Sequence, residues 1–486
     1  MTPSIEEPAF VDVLMTMLFI TLVWVAGKLF TRVRMPSLVG EIAVGVVMGP
    51  QLMDVVPMHS ALMLYGEVGL MLLVLEAGLN VDVPMLQLIG LRGVGVAISG
   101  SIAPLAIASS LGILVLGLEW RAALAVGCTL APTSMGIALN VLKKGKVLNT
   151  PTGQLIIAAA VLDDVIALIL LSELQALADP QPLTLLQPVV ASVGLMLGIG
   201  WLGVRVFPPL MGRLLPLVRA KHREKVLLGL ILTLAMLLVP LCHALGSSHL
   251  LGAFLAGLSF CTDSAVHSAW TRQVKRLLQW LLRIFFSATI AFEIPVRSFA
   301  SLEILSRAAV FFLAVAGKVL TGLWALPLTT SEFCKVGFAM SAWGEFAFIT
   351  ATTARGAGII DQQTFSAAIL AVVVSVIVSP ILLGLAISRS NRSALSLIQA
   401  SEADAATSRG EEVPVCYHLR TDSALQWGLL LHPLSNPLDP TPTQRHPLPT
   451  AASHSIISPP ASHPLTTRKP PANHPPCRYA QASTHA

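Results

Sequence analysis

The sequence predicts an all-α polytopic membrane protein of about thirteen transmembrane helices, arranged as two inverted-topology repeats. Three observations carry this expectation. Of 486 residues, 54% are hydrophobic and only 12% charged, against roughly 25% charged in soluble domains. Apolar runs near 20 residues recur through the first 390 positions, each sufficient to cross a hydrocarbon core of about 30 Å. Basic residues, finally, are distributed unevenly between the loops that join these runs.

The expected spans lie at about 10–30, 37–52, 64–82, 93–117, 121–142, 153–177, 184–208, 225–245, 249–262, 277–296, 304–328, 334–354 and 363–387. The odd-numbered loops, with Lys225 and Lys335 at the span edges beside them and Arg389 and Arg392 just after the last span, hold seventeen Lys and Arg, among them Lys143, Lys144, Lys146, Arg272, Lys275 and Arg276. The even-numbered loops hold only Arg121, Arg297, Arg307 and Arg355. Basic loops stay cytoplasmic, so the N-terminus is expected outside and the C-terminus in the cytoplasm. This distribution also accounts for most of the net charge of +5, without nucleic acid as a partner.

An offset of about 212 residues relates the two halves of the chain. GEIAVGVVMG (40–49) falls opposite GAFLAGLSFC (252–261), and APTSMGIAL (131–139) opposite SAWGEFAFI (341–349). Asp163 and Asp164 fall opposite Ser375 and Val376. Seven spans separate the copies, an odd number, so the second copy enters from the other side, as in many secondary transporters. Pro132 and Gly136, with Thr133 and Ser134 between them, are expected to break the fifth span, because proline removes a helical hydrogen bond. Its repeat mate is interrupted around Gly344.

The ends of the chain read differently. The opening MTPSIEEPAFVD is acidic and lacks a small-residue cleavage site, so residues 1–9 are expected to be a short extracytoplasmic segment and not a cleavable leader. Residues 391–486 are rich in Pro, Ser, Thr and His and are expected to form a disordered cytoplasmic tail after the 10–390 membrane domain. Cys128, Cys242 and Cys261 lie in apolar segments, and Cys416 and Cys477 in the tail, without metal-ligand or disulfide spacing. G-x-G-x-x-G does not follow the membrane region, so an appended nucleotide-sensing domain is not expected, and no cofactor is expected either.

The chemistry concentrates in IIAAAVLDDVIALILL (156–171). One aspartate at the centre of a membrane helix costs about 2.5–3.5 kcal/mol on insertion scales, and intramembrane acids are functional by default. Adjacent helical residues point about 100° apart, so Asp163 and Asp164 cannot face the same point. A hard monovalent cation needs oxygen ligands, and a buried carboxylate with a like charge beside it has raised proton affinity. One such group can hold a cation or a proton, and that competition is sufficient for antiport. Unwound carbonyls and the Thr133 and Ser134 hydroxyls are further candidate ligands. Lys318 lies near the middle of its span, roughly 15 Å from either end, and needs an anion, for which Asp163 is the candidate. Glu76, Glu345 and Glu41 are accessory candidates, each with an ion-pair or helix-end role as the alternative.

At these residues the chain resembles the cation/proton antiporter superfamily, in its second, bacterial-type branch of sodium/proton and potassium/proton exchangers. The likeness rests on PSLVGEIAVGVVMGP, on TSMGIALNVLKKGKVLNTPTGQLIIAAAVLDDVIALILL, on GAFLAGL, on mid-span Lys318 and on GEFAF. The resemblance implies a homodimer with two crossed, broken helices, a rigid dimerisation part and a moving core, working by elevator-like alternating access. It implies Asp164 as the cation- and proton-binding residue, Asp163 as its partner salt-bridged to Lys318, and Thr133 and Ser134 at the unwound crossover. Because members with two acidic residues here are usually sodium/proton exchangers, the resemblance also implies sodium over potassium. Glu76 departs from the family pattern, which has an apolar residue there.

Two alternatives are weaker. A sodium-coupled organic-anion symporter can share this fold, but the two aspartates and the lysine favour proton exchange. An intramembrane aspartyl protease needs acids from different helices about one water, a geometry adjacent aspartates cannot provide, and the chain is not expected to be an enzyme.

Overall fold

The computed structural model describes residues 10–408, apart from 33–34, 178–181, 215, 217 and 220–221. All regular structure among the described residues is helical. The first half holds α1 (Phe10–Arg32), α2 (Ser37–Met48), α3 (His59–Leu79), α4 (Val83–Ile89), α5 (Leu91–Leu114), α6 (Trp120–Thr129), α7 (Met135–Lys144) and α8 (Pro151–Ala176). Helices α9 (Pro182–Arg205) and α10 (Phe207–Leu214) lead into the second half. There follow α11 (Arg223–Ala244), α12 (His249–Leu258), α13 (Ser264–Gln273), α14 (Lys275–Leu277) and, after a π-helical turn, α15 (Arg283–Ile290). The described residues end in α16 (Leu302–Phe312), α17 (Val315–Val319), α18 (Thr330–Met340), α19 (Glu345–Gly356) and α20 (Gln362–Ser408).

Among the described residues, eight helical stretches are long and apolar enough to cross a membrane, including all of α1, α3, α5 and α11 and most of α8 and α9. The other expected spans fall on short or interrupted elements: α2, α6 with α7, α12, α14 with α15, and α18 with α19. Local chemistry sets several starts. Thr150 caps α8 by accepting from the Gly153 amide, with Pro151 in the first turn, where its missing N–H costs nothing. Ser248, Asp263, Ser301 and Thr329 cap α12, α13, α16 and α18 in the same way.

Close backbone approach builds one half of the fold. A side chain at Gly257 of α12 would strike the Leu75 carbonyl of α3, and one at Gly78 of α3 would strike the Phe254 carbonyl of α12. Glycine on both helices lets them touch main chain to main chain. Helix α8 is the hub. Its Leu155, Ile156 and Ala159 join a core with residues of α5, α18 and α20. Its Val165, Leu168 and Leu171 join another with α3, α11 and α12.

Helix α20 departs from expectation. It continues to Ser408, so residues 391–408 are helical and do not belong with the Pro-rich segment. The reason is local: NRSALSLIQASEADAATS contains neither proline nor glycine and is rich in helix formers. The expectations for residues 1–9 and 409–486 fall outside the described residues.

Candidate functional site

Both predicted interruptions exist, and they meet. Helix α6 ends at Thr129 and α7 begins at Met135; α18 ends at Met340 and α19 begins at Glu345. Across the gap the Ser134 amide donates to the Ala342 carbonyl at 2.7 Å, and the Thr133 hydroxyl donates to the Met340 carbonyl at 3.1 Å. Two broken helices thus satisfy one another's freed backbone groups, which lipid cannot do. Gly344 permits the contact, since a Cβ there would lie 2.7 Å from the Ser134 Cβ. From α20, the Ser375 hydroxyl donates to the Ser341 carbonyl at 2.7 Å and accepts from the Trp343 amide at 3.2 Å.

Asp163 of α8 faces this crossing and is fully buried. Its carboxylate accepts from the Thr133 amide at 2.6 Å and from the Ser101 hydroxyl at 2.5 Å. Lys318 of α17, also fully buried, places Nζ 3.4 Å from the same carboxylate. That ammonium also donates to the Thr133 hydroxyl at 2.6 Å. Charge neutralisation and two further donors satisfy what would otherwise be a costly buried anion. Lys318 reaches the site because Gly317 sits directly on the backbone of α5 at Ala103 and Pro104.

Asp164, one residue on, differs sharply. It is 9% exposed, and among the described residues no hydrogen bond holds its carboxylate. Its surroundings are electrostatic: Asp163, Glu345 and Lys318 all act on it. Asp163 is committed to the fold around it, whereas Asp164 is available.

The other predicted residues divide. Thr133 is at the centre, but its hydroxyl is already spent between Lys318 and Met340. Ser134 enters the crossing through its backbone. Glu345 opens α19. Glu76 is buried near the end of α3 and pairs with Lys275 at 3.3 Å, an ion pair apart from the crossing. Glu41 is buried in α2, next to Gly27 of α1. Sequence reasoning missed Ser101; its signal is a polar residue in the middle of an apolar span, between Gly100 and Pro104.

Away from the crossing, Glu332 at the start of α18 ties that helix to the start of α8. It accepts from Lys335 at 2.7 Å and from the Thr152 hydroxyl at 2.5 Å. Burial pushes its carboxyl up, but these two hydrogen bonds and the Lys335 charge outweigh it, holding Glu332 below the ordinary range.

Comparison with known proteins identifies the family. Residues 15–387 match the family model described as sodium/hydrogen exchanger, transmembrane. The Na(+)/H(+)-K(+) antiporter GerN of Bacillus cereus is 27% identical over 73% of this chain and 91% of its own length. The Na(+)/H(+) antiporter of Enterococcus hirae is 25% identical over 77% of this chain and 97% of its own length. Among solved structures, the sodium proton antiporter MjNhaP1 of Methanocaldococcus jannaschii superposes with a TM-score of 0.61 at 17% identity, covering 77% of this chain and 98% of that one. The chain is therefore an integral, multi-pass membrane protein that belongs to the sodium/hydrogen exchanger family of cation/proton antiporters.

Proposed function

We propose that this protein exchanges a monovalent cation, with sodium favoured, for protons, and that Asp164 is the seat for which the two compete. One observation carries the reading: Asp163 is saturated by Ser101, Thr133 and Lys318, while its neighbour Asp164 is held by no hydrogen bond among the described residues. A group that must release a cation to take a proton has to be free of permanent partners. Asp163 and Lys318 anchor the crossing, and Thr133 positions both. The Ala131 to Ser134 backbone and the Glu345 carboxylate are the further oxygens from which a cation shell at Asp164 would be drawn.

The architecture proposed with it is thirteen spans, N-terminus outside and C-terminus cytoplasmic, in two inverted repeats within a homodimer. The basic loops support the orientation. The element boundaries support the repeat: α1, α2 and α8 recur as α11, α12 and α20, and α6 with α7 as α18 with α19, at a spacing of about 212 residues. Alternating access is proposed to be elevator-like, with α8 sliding along α3, α11 and α12. Potassium is the second reading, favoured by two relatives: GerN, and the glutathione-regulated potassium-efflux system protein KefC of Klebsiella pneumoniae, 27% identical over 72% of this chain.

The test is cation-induced alkalinisation of acid-loaded proteoliposomes, comparing sodium, lithium and potassium. Alkalinisation led by sodium is expected. Potassium in the lead would select the second reading, and no response to any cation would refute exchange altogether.

A further inference from the structure

A second polar cluster lies in the seam between α8 and the helices on which it rests. Ser172 of α8, Ser192 of α9, and Ser247 and Ser248 of the α11–α12 turn are all essentially inaccessible to solvent. The Ser192 and Ser247 hydroxyls are 2.7 Å apart. The Ser248 amide donates to the Ser172 hydroxyl at 2.8 Å, and the Ser172 and Ser247 hydroxyls lie 3.5 Å apart. Helix α9 is tied to the same turn again, through the Gln187 amide, which donates to the Leu245 carbonyl at 3.3 Å. Ser192 and Ser247 thus belong to one anchored unit, and Ser172 is the member contributed by the aspartate-bearing helix.

The rest of this seam is different in kind. Val165, Leu168 and Leu171 of α8 belong to one apolar cluster with residues of α3, α11 and α12. Such contact is non-directional and permits sliding, whereas hydrogen bonds hold only within narrow distances and angles. Four polar groups at the end of an apolar track specify one position along it. Ser172 is nine residues from Asp163, so a shift of α8 at the node displaces the site by the same amount.

We propose that Ser172, Ser192, Ser247 and the Ser248 amide are positioning groups that set the register of α8, and with it Asp163 and Asp164, and that this node opens in every transport cycle. The proposal rests on the exchange reading above. A hydroxyl pair that only filled space would never have to separate; this one must.

The test introduces Ser172→Cys with Ser247→Cys into a chain whose native cysteines have been replaced, reconstituted in proteoliposomes. Oxidation is expected to join the two positions and to lower sodium-driven proton exchange by more than about tenfold, with recovery on reduction. Cross-linked protein that exchanges as fast as reduced protein overturns the proposal, and so does absence of the cross-link in protein that exchanges normally. Ser172→Ala, which deletes the shared acceptor, is expected to change the maximal rate several-fold, and an unchanged rate also counts against the node. If the wild type and the reduced variant are both inert with sodium, lithium and potassium, the exchange reading has failed before oxidation is applied.

Discussion

The Thr133 amide donates to the Asp163 carboxylate at 2.6 Å, joining a broken helix to the helix that carries both intramembrane aspartates. This bond sets the two acids apart. A freed N–H at the break needs an acceptor, Asp163 provides it, and Lys318 balances the charge. Asp164 has no such bond among the described residues, and this is why we propose it as the exchange site.

Asp164→Asn is expected to abolish cation-driven proton movement while leaving folded, membrane-inserted protein, because no hydrogen bond to the carboxylate is lost. Asp163→Asn is expected to destabilise instead, since it strands the buried Lys318 charge. Thermal unfolding in detergent beside the liposome assay separates the two. Unchanged exchange in Asp164→Asn would sink the site assignment.

Lys318→Ala removes the counter-ion of a fully buried carboxylate. Breaking one side of a buried pair costs about 3–5 kcal/mol, so a marked fall in melting temperature is expected. Exchange that survives should show altered proton dependence with little change in cation preference. A melting temperature equal to that of the wild type would contradict the pairing.

Ser101→Ala deletes one donor to Asp163. A buried hydrogen bond lost in this way costs about 1–3 kcal/mol. Stability should fall less than in Lys318→Ala, and the pH profile of exchange should move while the protein still transports. A profile that overlays the wild type would show that Ser101 does not hold the carboxylate.

Glu332→Gln gives a pH test outside the membrane core. The Glu332 carboxyl sits below its ordinary value in the folded protein, so its stabilising effect is present above the unfolded value of about 4.3 and is lost as pH falls through the folded one. The variant should therefore melt earlier than the wild type at neutral pH, and the gap should close on acidification. A gap that widened toward acid would reverse the sign of this argument.

Much of the site was legible because burial is costly and the sequence shows what has to be compensated. Two acids and a lysine in apolar spans demanded one another, and Pro132 beside Thr133 marked the break to which Asp163 binds. Gly344 marked the second break. Ser101 was harder to see, because a lone serine in a helix is as readily satisfied by its own backbone, and Ser101 does also donate to the Ala97 carbonyl. For Glu76 the sequence left a transport role and an ion pair open, because its partner Lys275, in α14, is about two hundred residues away in the chain. The extension of α20 to Ser408 was hidden by a composition change that announces proline only after residue 413.

The central claim is that cation and proton share Asp164, and the most direct measurement is the sodium dependence of exchange at a series of pH values. Competition for one carboxylate predicts that the half-saturating sodium concentration rises toward about tenfold per unit of acidification on the acid limb, at a constant maximal rate. A half-saturating concentration that stayed fixed while the maximal rate fell would contradict a shared seat.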